Sequence, residues 1–200
     1  MGFIRDMSDV MQMETAMLKH VMEVLKRDYS YELKMLGAQL PEINEIPAVT
    51  FFEALEILGK EPNQFDLDPT DEVKLCEYAK KNYDSEFIFV TKFPGAKRPF
   101  YAMDSKDDPK LAESFDLLFR GLEITTGGQR IHDYNEQVAK LARYNMTPEE
   151  LGPYLDIHKY GMPPHGGLGI GLERLVMKLL GLENIREASM FPRDMHHLNP

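Results

Sequence analysis

The chain has 200 residues, of which 43% are hydrophobic and 28% charged, and its formal net charge is −10. This composition excludes a disordered segment and a membrane-embedded chain, and it suits one domain with a sizeable core. The acidic balance, without a Lys/Arg cluster, excludes a surface that grips nucleic acid mainly through phosphates and disfavours an anionic membrane surface.

Residues 1–11 mix acids with apolar side chains and have no basic region, so no secretory signal is expected. Cys76 is the single cysteine. It can form no internal disulfide, and its amphipathic surroundings mark it as a half-buried helix residue in a protein of the reducing cytoplasm.

Residues 6–28 are predicted to be a long helix. Val10, Met13, Met17, Val21, Val24 and Leu25 recur at helical spacing, with Asp6 or Ser8 as its cap. Its methionines read as core or interface filler. Residues 41–47 form a break, 50–58 a helix ended by Gly59, 61–69 a polar loop and 71–80 another helix. Residues 87–90 form a buried strand. A turn at Phe93-Pro94-Gly95 leads to a return strand at 99–103, and 104–109 is a charged loop. Residues 114–120 and 122–126 form two more strands joined near Gly121. Helices follow at 135–144 and 148–158, the latter opened by Thr147-Pro148-Glu149-Glu150. Residues 161–171 are rich in Gly and Pro, and 172–180 close the chain as a helix. Short turns between successive strands favour an antiparallel sheet, so the fold class is α+β, an antiparallel β-sheet flanked by helices.

Chemistry concentrates in three segments. In Gly166-Gly167-Leu168-Gly169-Ile170-Gly171-Leu172-Glu173-Arg174, the glycines at 167, 169 and 171 share one face of a strand, so a flat ligand can lie against the backbone. Arg174 at the start of the next helix can stack on a purine and pair with phosphate. A P-loop or Rossmann reading fails, because no lysine follows and no βαβ pattern surrounds the glycines. The second segment is Arg120-Gly121-Leu122-Glu123-Ile124-Thr125-Thr126-Gly127-Gly128-Gln129-Arg130-Ile131-His132-Asp133-Tyr134. Asp116 and Glu123, on neighbouring strands, can approach each other, and two carboxylates near triphosphate oxygens need a cation such as Mg²⁺. The third is Thr91-Lys92-Phe93-Pro94-Gly95-Ala96-Lys97-Arg98-Pro99-Phe100-Tyr101.

With Gly161-Met162-Pro163-Pro164-His165 before the glycine strand and Phe191-Pro192-Arg193-Asp194 after the last helix, these segments resemble class II aminoacyl-tRNA synthetases of the aspartyl/asparaginyl type, in the branch found in archaea and eukaryotes. Motif 3 of that family falls at about 165–180. The resemblance implies ATP binding by Glu123, Thr126, Gly169, Gly171 and Arg174. It implies Mg²⁺ held by Asp116, Glu123 and Thr126, and an amino-acid site of Arg98, Gln129, Arg130 and His165. Arg130 would clamp the substrate's side-chain carboxylate. His132 and His165 are taken as shaping residues, because this family activates amino acids by positioning and charge stabilisation.

The resemblance runs along nearly the whole chain. It casts residues 1–200 as one partial catalytic core that follows directly on motif 2, without counterparts of motif 1, motif 2 or the anticodon-binding barrel. The implied function is part of an ATP-dependent aspartate–tRNA ligase, with aspartate or asparagine as partner and tRNA only together with the missing segments. A homodimer, or association with a synthetase N-terminal part, is expected. The other readings are a truncated non-catalytic paralogue that binds aspartate, asparagine or nucleotide, an asparaginyl-tRNA ligase, and a synthetase-like asparagine synthetase. Relatives usually place arginine where His197 stands.

Overall fold

Alternation along the central strands sets the layering. The computed structural model describes residues 1–193 and 195. Strands β1 (Ala48–Thr50), β2 (Phe87–Thr91), β3 (Ser114–Phe119), β4 (Leu122–Arg130) and β5 (His165–Ile170) form one sheet in chain order. Successive side chains leave a strand on opposite faces. Phe87, Phe89, Phe115, Leu117 and Phe119 point to the back, where they pack with Val10, Leu18 and Met22 of helix α1 (Met7–Asp28). Leu175 and Leu179 of a C-terminal helix (Leu172–Leu180) complete that layer. Ile88, Val90 and Leu118 point to the front, under Phe51, Leu55, Leu75 and Ala79 of two further helices (Phe51–Leu58 and Pro69–Tyr83). Thr126, Arg130 and Gly169, on the front of β4 and β5, remain exposed.

In chain order the remaining helices are α2 (Ser30–Met35), α3 (Phe51–Leu58), α4 (Pro69–Tyr83), α5 (Tyr134–Leu141), α6 (Gly152–Lys159) and α7 (Leu172–Leu180). None of the described helices is long and apolar enough to cross a membrane. The α+β class holds, with one correction to the expected antiparallel sheet. β2 through β5 are antiparallel neighbours, but β1 runs parallel to β2. A parallel neighbour needs a crossover, which α3 and α4 supply. β1 ends where Thr50 caps α3 in a reciprocal box with Glu53, so its three residues hide at a helix start.

Two other expectations are corrected. Residues 99–103 form no return strand, because β3 already occupies the antiparallel seat beside β2. Ala102 instead makes a single bridge to Arg130 at the far end of β4. The helix expected at 148–158 starts only at Gly152, although Glu150 accepts the Thr147 N–H at 2.7 Å as a capping acid would. Pro153 has no N–H to bond back into the preceding turn, so a new helix begins around it.

The β3–β4 pairing contains a bulge. Leu117 lies opposite Thr125, yet Leu118 lies opposite Glu123, leaving Ile124 as an extra residue. Ile124 and Thr125 are both buried at 1% exposure. The extra residue reverses the alternation, so Glu123 joins Asp116 and Thr126 on the front.

The turn before β4 is equally constrained. Arg120 (φ 47°) and Gly121 (φ 77°) form a two-residue hairpin with both residues left-handed. A Cβ on Gly121 would sit 2.9 Å from Cγ2 and 3.3 Å from Cα of Val73, so the missing side chain seats α4. Arg120 fixes the turn from outside by donating to Glu86 at 2.5 Å and to the carbonyls of Lys178 and Gln39 at 2.8 Å each. Gly121→Ala should cost about 2 kcal/mol in urea denaturation, from the left-handed strain and the contact with α4.

Glu14 of α1 is wholly buried, and neither carboxylate oxygen has a hydrogen-bond partner among the described residues. Burial pushes its carboxyl from 4.5 up to about 7. The folded chain thus holds a proton that the unfolded chain releases, so this contribution is full below pH 4.5 and is lost as pH climbs through about 7. Glu14→Gln should remove that loss. Thermal melts should show near parity at pH 4.5 and a gain on the order of 3 kcal/mol at pH 8.

Candidate active site

The open front of β4 and β5 carries the charged side chains. A hollow of ≈ 390 Å³ lies there, lined by Arg98, Tyr101, Thr126, Arg130, Gly167 and Gly169 among others. A larger hollow of ≈ 660 Å³ opens elsewhere, around Phe52, Phe65 and Tyr144. Size alone would favour it. The smaller one holds the free arginine and the glycine floor, and it is the candidate on chemical grounds.

Arg130 stands opposite His165 in the β4–β5 register, with its guanidinium over the Tyr101 ring, 5.0 Å from the centroid. It has no carboxylate partner among the described residues, so the salt bridges to Glu123 or Asp133 that would make it purely structural are not formed. Beneath it, a Cβ on Gly167 would lie 3.3 Å from Arg130 Nη2, so glycine keeps the arginine close to the sheet. A Cβ on Gly169 would meet nothing within 4 Å, which leaves that stretch of backbone bare to a ligand.

Arg98 is already engaged. It donates to both oxygens of Asp116, at 2.9 and 2.7 Å, and to the Thr126 hydroxyl at 2.9 Å. Its guanidinium also lies 4.0 Å from the Phe93 ring centroid. Tyr144 pins the same loop by donating its hydroxyl to the Arg98 carbonyl at 2.5 Å. Arg98 and Asp116 side chains are only 12% and 10% exposed. The expected amino-acid ligand and the expected metal ligand therefore satisfy each other in this structure.

Farther along β4, Arg174 donates to the Glu123 carbonyl at 2.7 Å and lies 3.7 Å from the Glu123 carboxylate. Gly171, before α7, is held open for this arginine, since a Cβ there would lie 3.2 Å from Arg174 Cδ. Burial raises the Glu123 carboxyl pKa, Asp116 and Glu72 raise it further, and Arg174 and Arg98 oppose them. Glu72 on α4 is raised as well, first by burial. Sequence reasoning missed Glu72, which looks like an ordinary polar residue in the first turn of a helix.

The expected residues thus divide. Arg98, Thr126, Arg130 and Gly169 surround one hollow, while Glu123, Gly171 and Arg174 form a cluster toward the other end of β4, joined to the hollow through Asp116. Gln129 also lines the candidate hollow, and on the back face it borders another hollow with Ser8 and His132. His165 donates from Nδ1 to the Pro163 carbonyl at 3.1 Å, and burial lowers its pKa. Asp194 and residues 196–200, with the His197 position, lie outside the described residues.

Among the described residues no three His, Cys, Asp or Glu side chains are close enough to hold a metal ion unaided. Mg²⁺ needs fewer, because it keeps waters and takes one or two carboxylates plus substrate phosphates. The crowded acids Glu123 and Asp116 fit that demand. Each Asp116 oxygen retains a lone pair beyond the one Arg98 uses.

The sheet with its glycine floor and arginine–carboxylate row finds its counterpart in a known class. The family model described as tRNA synthetases class II (D, K and N) matches residues 1–195, and the chain belongs to that family. More particularly, it is 45% identical over 210 residues to the aspartate–tRNA(Asp/Asn) ligase of Deinococcus radiodurans. It is 48% identical over 204 residues to the ligase of the same name from Thermus thermophilus. Each comparison takes in 100% of this chain and 48% of the relative, so the chain spans about half the length of the curated relatives it matches. Among solved structures, the aspartyl tRNA synthetase from Entamoeba histolytica superposes with a TM-score of 0.94 at 34% identity, over 100% of this chain and 43% of that one.

Arg98→Ala should strand the Asp116 carboxylate and cost about 3 kcal/mol in urea denaturation. The double variant with Asp116→Ala should recover part of that loss, and additive effects would show that the pair is not coupled.

Proposed function

We propose that this chain supplies the amino-acid and nucleotide site of an ATP-dependent aspartate–tRNA ligase. The observation that carries the reading is the unpaired Arg130 guanidinium in a glycine-floored hollow. A planar fork with five donors and no carboxylate partner among the described residues is suited to bidentate capture of a substrate carboxylate, and it discriminates aspartate from asparagine. His165, with its Nδ1 turned to a carbonyl, borders Arg130 as a neutral shaping group.

The nucleotide would lie along the front of β4. Bare backbone at Gly169 leaves room for a flat base, and Arg174, steadied by the Glu123 carbonyl, is placed to stack on it and to meet phosphate. Glu123 and Asp116 would hold the Mg²⁺ that accompanies ATP, which supplies charge neutralisation at the phosphates. Thr126 lies between the two ends. Arg98 acts through Asp116 and Thr126, leaving Arg130 as the side-chain clamp. The residues thereby position two substrates so that the α-carboxylate of the amino acid can attack the α-phosphorus of ATP as the bond to the bridging oxygen breaks and pyrophosphate leaves, with no nucleophile from the protein. With a net charge of −10, the chain leaves most of the tRNA grip to other segments of a longer ligase or to a partner.

Calorimetry with aspartate and with asparagine tests the reading. Wild type should bind aspartate in preference. Arg130→Ala should weaken aspartate binding about a hundredfold, the scale of a lost bidentate charged pair. Unchanged aspartate binding in Arg130→Ala would overturn the clamp.

A further inference from the structure

The front-face aim of Glu123 depends on the extra residue Ile124, and a bulge leaves backbone groups outside the strand ladder. Next to that extra residue, the Glu123 N–H donates to Oε2 of Glu72 at 2.8 Å. Glu72 comes from α4, which belongs to a different layer and is 51 residues earlier in the chain. Its approach is built in. The neighbouring Val73 rests on Gly121, where any Cβ would lie 2.9 Å from Val73 Cγ2, so the hairpin turn and α4 meet at a fixed distance. The capping box at Asp68 and Asp71 fixes the first turn of the same helix. An acid half-buried among other acids is costly to keep, and Glu72 shares its surroundings with Glu123, Asp116 and Arg174.

We infer that Glu72 is a positioning residue for the nucleotide end of the site: its carboxylate anchors the bulge in β4 and thereby aims Glu123 at the front of the sheet. This rests on the reading of Glu123 as a ligand of metal–ATP, but the anchoring is readable without any ligand. Reach matters more than charge. Glutamine places a carbonyl oxygen where glutamate places Oε2, whereas aspartate keeps the charge and falls one methylene short.

The test compares Glu72→Gln and Glu72→Asp in the 200-residue chain. Both are conservative enough to leave the core untouched. Amide hydrogen exchange at Glu123, without ligand, should be near wild type in Glu72→Gln and about tenfold faster in Glu72→Asp, the scale of one lost hydrogen bond to a charged group. Mn²⁺ binding in the presence of ATP, followed by electron paramagnetic resonance, should weaken in the same order. ATP binding without metal should change little in either variant. Wild-type exchange in Glu72→Asp, or exchange in Glu72→Gln as fast as in Glu72→Asp, would overturn the anchor. If the exchange order holds but wild type binds no Mn²⁺ with ATP, the anchor stands and the proposed function fails.

Discussion

One additional residue in β4 governs which side of the sheet receives the charge. Without Ile124 as a bulge, strict alternation would send Glu123 to the back with Thr125, into a core of phenylalanines and leucines. An acid there would meet the environment that already raises Glu14. The bulge lets Ile124 and Thr125 both fill that core while Glu123 crosses to the front, beside the strand position of Asp116. Packing on one face and charge on the other are thus reconciled by a local defect in the ladder.

From that crossing follows a row of charges on the front of the sheet, two adjacent carboxylates between arginines: Arg174, Glu123, Asp116, Arg98 and, past Thr126, Arg130. The inner members neutralise one another. Arg98 spends its fork on Asp116 and Thr126 and is wedged against Phe93. Arg174 divides itself between a carbonyl and a carboxylate 3.7 Å away. Arg130 alone in this row has no such partner among the described residues, and its guanidinium lies over the Tyr101 ring. Such a row is tied together in its middle and leaves the Arg130 guanidinium open at one end.

Much of the layering was legible in the sequence, because periodicity reports burial directly. The stripe through Val10, Met17 and Val21 gave α1, the apolar run at Phe87 gave β2, and Gly59 marked the end of α3. Parallel β1 was not legible, since three residues offer no period and Thr50 is also a helix cap. The strand expected at 99–103 failed for a non-local reason, the seat beside β2 being taken by β3. At the candidate site, the glycine alternation and the Gln129-Arg130 string fall on β5 and β4, the two strands that line the hollow. The engagement of Arg98 with Asp116 and the hydrogen bond between Glu72 and the Glu123 N–H were hidden, because each depends on which layers meet, and no local spacing encodes that.

Glycines in β4 and β5 carry a further consequence. A Cβ on Gly127 would lie 2.5 Å from Cζ of Phe115 and 2.9 Å from Cβ of Leu168. One on Gly166 would lie 2.9 Å from Cγ2 of Val10. At these two glycines the partition between the oily interior and the front hollow is therefore a single backbone thick. Any swelling of the interior at Phe115 or Val10 is transmitted straight through that wall, so the mechanical tolerance of the hollow is dictated by residues that do not line it.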